Sequence, residues 1–173
     1  MGNCLFLVDE SRFFVVIYII MSRIIDQTDR AILRILQKQG TPSQRELAEQ
    51  VGLSQNACWR RLNALRESGI ISHDTVRLNA QALGLTLTVF VLMRTRHHSH
   101  EWFETFRKVV VSIPNIVDFY RIAGEYDYLL KVVACDMNDF DRVYQQIISK
   151  VELDAITSYM TMETLADNRD LPV

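Results

Sequence analysis

Apolar residues recur every three or four positions in three stretches of the first half of the chain, a spacing typical of amphipathic helices. These apolar positions are Ile32, Leu33, Leu36, Leu47, Ala48, Val51, Cys58, Leu62 and Leu65. Asp26 and Asp29 are suited to the first turn of the first helix. Ser43 can cap the second helix, with Glu46 completing a capping box, and Ser54 can cap the third. The pattern therefore predicts three short helices.

The junction between the second and third helices has the composition of a helix-turn-helix motif. Ala48 is small enough for two helices to cross closely, and Gly52 gives the turn its backbone freedom. We therefore predict a winged-helix-like helix-turn-helix domain over residues 21–71.

The second half of the chain alternates between the two-residue period of strands and the 3.6-residue period of helices. Strands are predicted over residues 85–93, 116–122, 128–134 and 156–163. Ser99 and Asp136 can each cap an amphipathic helix between two of these strands. The order β-α-β-β-α-β is that of a ferredoxin-like domain, predicted here over residues 85–165. The fold class is therefore α+β.

The remaining segments connect or flank the two domains. Residues 72–84 form a linker, in which Val76 and Leu78 alternate with polar neighbours and predict a short strand. Residues 166–173 are expected to be a C-terminal tail. Residues 1–20 are expected to be an extension outside both domains, because their apolar run is too short to span a bilayer and has no signal-peptide flanks.

Both faces of the first predicted strand are apolar. Val89 and Val91 lie on one face, and Phe90 and Leu92 lie on the other. One layer of two helices covers only one face of a sheet, so the second face would remain exposed, which usually marks an interface. We therefore predict a homodimer formed through the sheets, which presents two helix-turn-helix domains to a pseudo-palindromic DNA site.

The distribution of charge separates the two halves of the chain. The 173 residues are 49% hydrophobic and carry a formal net charge of −2, which excludes a globally basic nucleic-acid binder. Residues 22–69 nevertheless hold eight basic and five acidic residues, whereas residues 70–173 hold ten basic and fourteen acidic ones. Three cysteines without a C-x-x-C motif argue against a disulfide framework and favour a reducing cytoplasm.

Polar side chains on the outer face of the third helix, and at the start of the second and third helices, form a candidate DNA-binding surface. Gln and Asn can bind adenine edges, Arg can bind guanine or phosphate, and helix N-termini favour phosphate. The candidate residues are Ser43, Gln44, Arg45, Ser54, Gln55, Asn56, Trp59, Arg60 and Arg61. The alternative is a solvated helix surface. A partly structural role is open for Arg61, and Trp59 can pack on either a sugar-phosphate edge or a neighbouring helix.

His97, His98 and His100 form the other cluster of chemically versatile side chains. They lie where a helix is predicted to begin, and no fourth ligand accompanies them. We therefore interpret them as a polar loop and helix start, and the sequence predicts no metal and no cofactor.

The two segments LSQNACWRRLNALRESGII at 53–71 and GEYDYLLKV at 124–132 resemble the leucine-responsive/asparagine-responsive (Lrp/AsnC) family of transcriptional regulators. The resemblance covers residues 21–173. The stretches TRHHSHEWF at 95–103 and AGEYDYLLKV at 123–132 are further similar to a proteobacterial branch that responds to L-cysteine. Membership of this family implies amino-acid effectors bound at subunit interfaces, and dimers that assemble further, often into octamers.

The resemblance implies an effector site at Gly124, Glu125, Tyr126, Asp127 and Tyr128. Gly124 allows a ligand to approach the backbone, whose N–H groups can bind a carboxylate. Asp127 can accept the ammonium group of an amino acid. Turn chemistry alone favours a simpler interpretation, a tight hairpin in which Asp127 satisfies N–H groups of the turn.

The expected function is that of a sequence-specific DNA-binding transcriptional regulator that responds to a small amino acid such as cysteine or leucine. Its partners are double-stranded DNA, the effector and further copies of itself, in the cytoplasm and without a membrane. The chain carries no Gly-rich phosphate loop or nucleophile elbow, so we do not expect an enzyme. Two alternatives are a ligand-independent architectural DNA-binding protein and an amino-acid-binding regulatory module of an enzyme.

Overall fold

The computed structural model describes residues 25–167 and 170–173, and the chain divides into two compact units. The described part of the first unit is residues 25–77 and 170–173, and the second unit is Leu78–Asp167. The expected extension over residues 1–20 lies outside the described residues. Within the described part of the chain, no helix is long and apolar enough to cross a membrane.

The first unit contains the three predicted helices, α1 (Gln27–Gln39), α2 (Gln44–Gln50) and α3 (Gln55–Glu67). Asp26 caps α1, and its Oδ1 accepts the N–H of Asp29 at 2.8 Å. The apolar faces of the helices meet in one buried cluster, which confirms the predicted helical periodicity. This cluster comprises Ile32, Leu33, Leu47, Ala48, Cys58, Leu62 and Leu65. Burial raises the pKa of the Cys58 thiol, which is consistent with a small core filler.

The predicted linker strand is absent. Residues 72–79 adopt neither helix nor strand, and the side chains of Val76 and Leu78 are largely exposed. Alternation of polar and apolar residues satisfies only the side chains of a strand. The backbone also needs a neighbouring strand to complete its hydrogen bonds, and a short sequence pattern cannot supply that neighbour.

The second unit has the predicted βαββαβ order. It contains β1 (Leu87–Arg94), α4 (His100–Val111), β2 (Ile116–Arg121), β3 (Tyr128–Ala134), α5 (Met137–Ile148) and β4 (Ala155–Met160). The four strands form one antiparallel sheet in the order β2-β3-β1-β4. Ser99 and Asp136 cap α4 and α5 as predicted. The ferredoxin-like, α+β architecture is therefore confirmed.

The sheet register separates a buried face from an exposed one. Val89 pairs with Val132 and Val91 pairs with Leu130, and all four side chains lie in the core with α4 and α5. The alternate position Phe90 pairs with Tyr159, and these side chains are 36% and 55% exposed. The sheet thus presents aromatic side chains on the face opposite the helices, as the strand pattern predicted.

Residues 170–173 differ from the expected tail. They belong to the first unit, where they contact α1 and the segment that follows Ile71. The sequence of this segment shows no periodicity that would have indicated such a docking.

Candidate DNA-binding surface and effector loop

The turn between α2 and α3 is held by backbone hydrogen bonds and one left-handed residue. The N–H of Leu53 donates to the carbonyl of Ala48 at 2.9 Å, and Gly52 has a φ of 66°. Only glycine adopts this conformation without strain. Ala48 is fully buried where the helices meet. The turn therefore has the backbone of a helix-turn-helix, and the motif places the beginning of α3 at the surface.

Hydroxyl groups cap both helices of this motif, as predicted. Ser43 Oγ accepts the N–H of Glu46 at 3.2 Å, while a Glu46 carboxylate oxygen accepts the N–H of Ser43 at 2.9 Å. Hydrogen bonding by Ser43 lowers the pKa of Glu46, which is therefore ionised at neutral pH. Ser54 Oγ accepts the N–H of Ala57 at 3.3 Å. Each hydroxyl accepts one helix N–H and keeps its own proton available for donation.

The outer face of α3 is open to solvent. Gln55, Asn56 and Arg60 are exposed, and Trp59 is 48% exposed. Among the described residues, Arg60 takes part in no ion pair. An exposed tryptophan on a polar helix face is available for contact with another molecule, whereas packing on a neighbouring helix would bury it.

Gln44 and Arg45 extend this exposed surface onto α2. Arg45 Nε lies 2.9 Å from Glu49 Oε1, and both side chains are mostly exposed. An exposed pair of this kind, four residues apart on a helix, contributes little to stability. The guanidinium of Arg45 can therefore leave Glu49 for a stronger anionic partner at low cost.

Arg61 has a different position from the other candidates. Its Nη1 lies 2.6 Å from Asp26 Oδ2 and 3.0 Å from Asp29 Oδ1, and Asp29 is only 1% exposed. The pKa of Asp26 is lowered, first by the N–H of Asp29 and then by Arg61. The predicted assignment of Arg61 to the DNA-contacting set is therefore revised, because its guanidinium compensates a buried carboxylate and joins α3 to α1.

In the second unit, the loop between β2 and β3 is attached to the end of β1 by the backbone of Asp127 and by its side chain. The N–H of Asp127 donates to the carbonyl of Met93 at 2.9 Å, and one carboxylate oxygen of Asp127 accepts the N–H of Thr95 at 2.8 Å. Thr95 is buried and also accepts the N–H of His97. Asp127 thus satisfies N–H groups, although of a neighbouring strand end and not of its own turn.

The tip of this loop is exposed. Gly124 has a φ of 140°, a conformation that residues with a side chain adopt only with strain, and no atom of the described chain lies within 4 Å of where its Cβ would be. Glu125 is exposed, and the hydroxyl of Tyr126 forms a 2.9 Å hydrogen bond with Thr157 Oγ1 on β4. The loop is therefore anchored at Tyr126 and Asp127 and open at Gly124.

Tyr128 cannot present its side chain to a ligand at this loop, contrary to the predicted assignment. Its ring is 4% exposed and packs against Phe106 and Phe119 in the aromatic core. Burial raises the pKa of its phenol. The alternation of side chains along β3 explains the difference, because Tyr128 shares the helix-covered face with Leu130 and Val132.

The histidine cluster lies at an exposed loop and helix start, where the sequence predicted it. His97 Nε2 lies 3.5 Å from Glu152 and its ring stacks on Trp102, while His100 is the first residue of α4. Within residues 25–167 and 170–173, no three His, Cys, Asp or Glu side chains converge into a possible metal site.

Two supporting residues were not identified from the sequence. Asp29 was assigned to a helix turn and not to an ion pair, and Thr95 was not singled out at all. The pattern D-x-x-D before α1 and the second Arg of the pair in α3 are the available signals for the first. The sequence shows no signal for the contact between Thr95 and Asp127, because it joins segments 32 residues apart.

Comparison with known proteins assigns both units. Residues 25–72 match the winged helix-turn-helix DNA-binding family, and residues 88–171 match the Lrp/AsnC ligand binding domain. The glutamate uptake regulatory protein of Zymomonas mobilis is 39% identical over 153 residues, covering 88% of this chain and 93% of the relative. The DNA-binding transcriptional activator DecR of Escherichia coli is 40% identical over 150 residues, covering 86% and 99%.

Solved structures have the same architecture. An AsnC family transcriptional regulator from Agrobacterium tumefaciens is 41% identical with a TM-score of 0.81, covering 85% of this chain and 96% of that one. A transcriptional regulator from Neisseria meningitidis, solved in complex with L-methionine, is 30% identical with a TM-score of 0.80, covering 86% and 97%. The similarity extends over both units in each case.

Proposed function

The chain belongs to the Lrp/AsnC family of transcriptional regulators, and we propose that it binds a pseudo-palindromic operator as a dimer and responds to a small amino acid. It is a DNA-binding regulator with an amino-acid-binding domain, and its relatives are transcriptional regulators and not enzymes. The operator, the effector and the assembly state are the proposed part. The exposed face of α3 is the observation that carries the DNA-binding half.

Helix α3 is proposed as the recognition helix, inserted into the major groove as the motif's docking geometry directs. Gln55 and Asn56, in its first turn, contact base edges, and Arg60 contacts a guanine or a phosphate. The exposure of Trp59 favours packing on the sugar-phosphate edge. Ser54 donates its hydroxyl proton to a phosphate at the start of the helix.

Contacts from α2 position the motif on the DNA backbone. Gln44 and Arg45 are exposed and can reach phosphate, and backbone contacts of this kind fix orientation without reading sequence. Ser43 is the weakest of the proposed contacts, because the ionised carboxylate of Glu46 lies beside it and repels phosphate. Arg61 contributes indirectly, by holding the recognition helix to α1.

A dimer formed through the sheets is supported by the aromatic face opposite the helices. Phe90, Tyr120 and Tyr159 are substantially exposed there, with Leu92 and Leu129 beside them. A second copy that covers this face would bury aromatic area and bring two recognition helices to one DNA site. Assembly of dimers into octamers is proposed from the family resemblance.

The loop at Gly124–Asp127 is proposed to bind the amino acid at a contact between dimers. Open backbone at Gly124 and Glu125 can donate N–H groups to the ligand carboxylate, and the second oxygen of Asp127 can accept its ammonium. A relative of this chain was solved with L-methionine, and the resemblance to the L-cysteine-responsive branch places cysteine first, with methionine and leucine next. The protein would act in the cytoplasm, where it meets the chromosome.

A ligand-independent architectural DNA-binding protein is the second candidate. The hydrogen bond from Thr95 to Asp127 favours it, because this bond gives the carboxylate a purely structural role. The two candidates differ in whether an amino acid changes DNA affinity.

The deciding experiment begins with duplexes selected by the purified protein from fragmented genomic DNA. Their affinity is then measured with and without saturating L-cysteine, L-methionine or L-leucine, alongside calorimetric titration of each amino acid. Binding of one amino acid with a change in duplex affinity supports the regulator. Sequence-selective binding with no response to any amino acid supports the architectural alternative, and binding without sequence preference contradicts both the operator and the groove assignment.

A further inference from the structure

A cavity of about 550 Å³ lies within the first unit, on the side of α1 and of the segment 70–77. Apolar side chains from α1 and from this segment line it, and residues 171 and 173 close one part of its wall. Its apolar lining comprises Ile25, Leu33, Leu36, Ile70, Ile71 and Val76. The docked segment at residues 170–173, which we call the strap, is therefore part of a built site.

Two polar side chains of α1 hold the strap by its backbone. The N–H of Leu171 donates to Gln37 Oε1 at 2.7 Å, and Gln37 Nε2 donates to the carbonyl of Leu171 at 3.3 Å. Arg34 Nε donates to the carbonyl oxygen of Val173 at 2.7 Å. These contacts bind a backbone in extended form and are largely independent of the strap's side chains, as in peptide recognition by paired main-chain bonds.

The strap is seated but only partly buried. Val173 packs against the core of the first unit, whereas Leu171 is 72% exposed. Exposed hydrogen bonds and a single half-buried apolar side chain give a weak attachment, and such elements open first in native proteins. The strap can therefore leave its site without unfolding the helices.

The strap gives the first unit a second connection to the rest of the chain. The chain leaves the first unit after Arg77, passes through the amino-acid-binding unit and returns after Asp167. Asp170 of the strap pairs with Arg77 itself at 2.9 Å. The outgoing and returning segments are thus joined at one ion pair, directly beside the groove on α1.

We propose that the strap is a releasable latch, whose docking on α1 transmits the state of the amino-acid-binding unit to the recognition helix. This inference rests on the proposed function. A ligand acts through the latch only if it changes the balance between docked and released strap. Helix α1 is the path to α3, since it carries Gln37 at one end and Asp29, the partner of Arg61, at the other.

The chain offers a matched pair of variants on α1. Gln37→Ala removes both side-chain bonds to Leu171, whereas Gln39→Ala removes an equivalent two-bond pair with Gln50 of α2. In the full-length protein, we expect the Leu171 amide to exchange with solvent about tenfold faster in Gln37→Ala than in wild type or Gln39→Ala. Equal exchange in the wild type and Gln37→Ala overturns the docking.

The second measurement is the ratio of duplex Kd values with and without saturating L-cysteine, L-methionine or L-leucine. We expect this ratio to be about fivefold or more for the effective amino acid in wild type and in Gln39→Ala, and close to one in Gln37→Ala and after deletion of residues 170–173. An unchanged ratio in the two strap variants overturns the latch alone. A wild type that responds to none of the three overturns the proposed effector function, and the latch with it.

Discussion

Arg61 on α3 donates a hydrogen bond to Asp29, a carboxylate on α1 that is almost completely buried, across 3.0 Å. The same guanidinium nitrogen reaches Asp26, the cap of α1. A buried charge is tolerated only when it is paired, so this contact joins the recognition helix to α1 in a defined orientation. The two adjacent arginines of α3 therefore have separate tasks, because Arg60 points outward and Arg61 inward.

Replacing Arg61 with Ala is expected to destabilise the first unit by about 2–3 kcal/mol, because it leaves the buried carboxylate of Asp29 without its partner. Urea unfolding at neutral pH measures this. Arg60→Ala is the matched control and should change stability by less than about 0.5 kcal/mol. Adding Asp29→Asn to the Arg61 variant should recover part of the loss, since the uncompensated charge is removed. Equal stability of the two arginine variants would contradict the structural role of Arg61.

Arg60→Ala should weaken DNA binding and lower the slope of log K against log salt by about 0.9, the value of one lost phosphate contact. Asn56→Ala should instead leave the slope unchanged and cost about 1–3 kcal/mol of discrimination at one base pair. Fluorescence anisotropy across a salt series, on the selected duplex and on single-base variants, separates the two effects. A normal slope in Arg60→Ala would leave a guanine edge as its contact and exclude phosphate.

The aromatic pair on the exposed sheet face tests the dimer. Phe90→Asp with Tyr159→Asp places two charges on neighbouring strands and is expected to give a monomer in light scattering, because desolvating unpaired carboxylates at an interface is costly. Val111→Asp, an equally exposed apolar position at the end of α4, is the control and should leave the mass unchanged. An unchanged mass in the double variant would place the interface elsewhere.

Two substitutions at Asp127 separate its structural role from ligand binding. Asp127→Asn keeps an oxygen for the N–H of Thr95 but removes the charge, so we expect normal thermal stability and amino-acid affinity about ten- to a hundredfold lower. Asp127→Ala removes both and should lower stability as well as affinity. Calorimetry and thermal unfolding of the same samples provide the comparison. Normal affinity in Asp127→Asn would assign this residue to the hairpin alone.

The acid response of the first unit follows from the lowered pKa of Asp26. A carboxyl group whose pKa is lower in the folded state stabilises fully above its unfolded pKa of about 3.9, and this stabilisation is lost as pH falls through the folded value. Thermal stability should therefore be insensitive to this group between neutral pH and about pH 5, and decline below about pH 4. Asp26→Asn should show a shallower decline below pH 4, and an identical profile would argue against a contribution from the Asp26 carboxylate.

Local chemistry explains why most of the fold could be predicted. Ser43, Ser54, Ser99 and Asp136 each cap the helix that was expected, because a cap depends on residues within one turn of the chain. Periodicity likewise identified the buried faces of the strands, since side-chain direction in a strand follows from position alone.

Contacts between distant segments account for what was not predicted. The partners of Arg61 lie 35 and 32 residues away in the chain, and Leu171 docks on a glutamine 134 residues away. The linker strand was wrongly predicted because its alternating pattern lacks a neighbouring strand. Tyr128 was assigned to a ligand from its motif, although its position in β3 directs the ring into the core.

The sequence by itself determined the two domains, the order of their helices and strands, and the surface that faces DNA, because these follow from residue spacing, capping and turn chemistry within short segments. Only the tertiary structure decided which of two adjacent arginines faces outward, what Asp127 binds, and where residues 170–173 lie. Each of these depends on burial and on the pairing of polar groups, which arise when separate segments of the chain pack together.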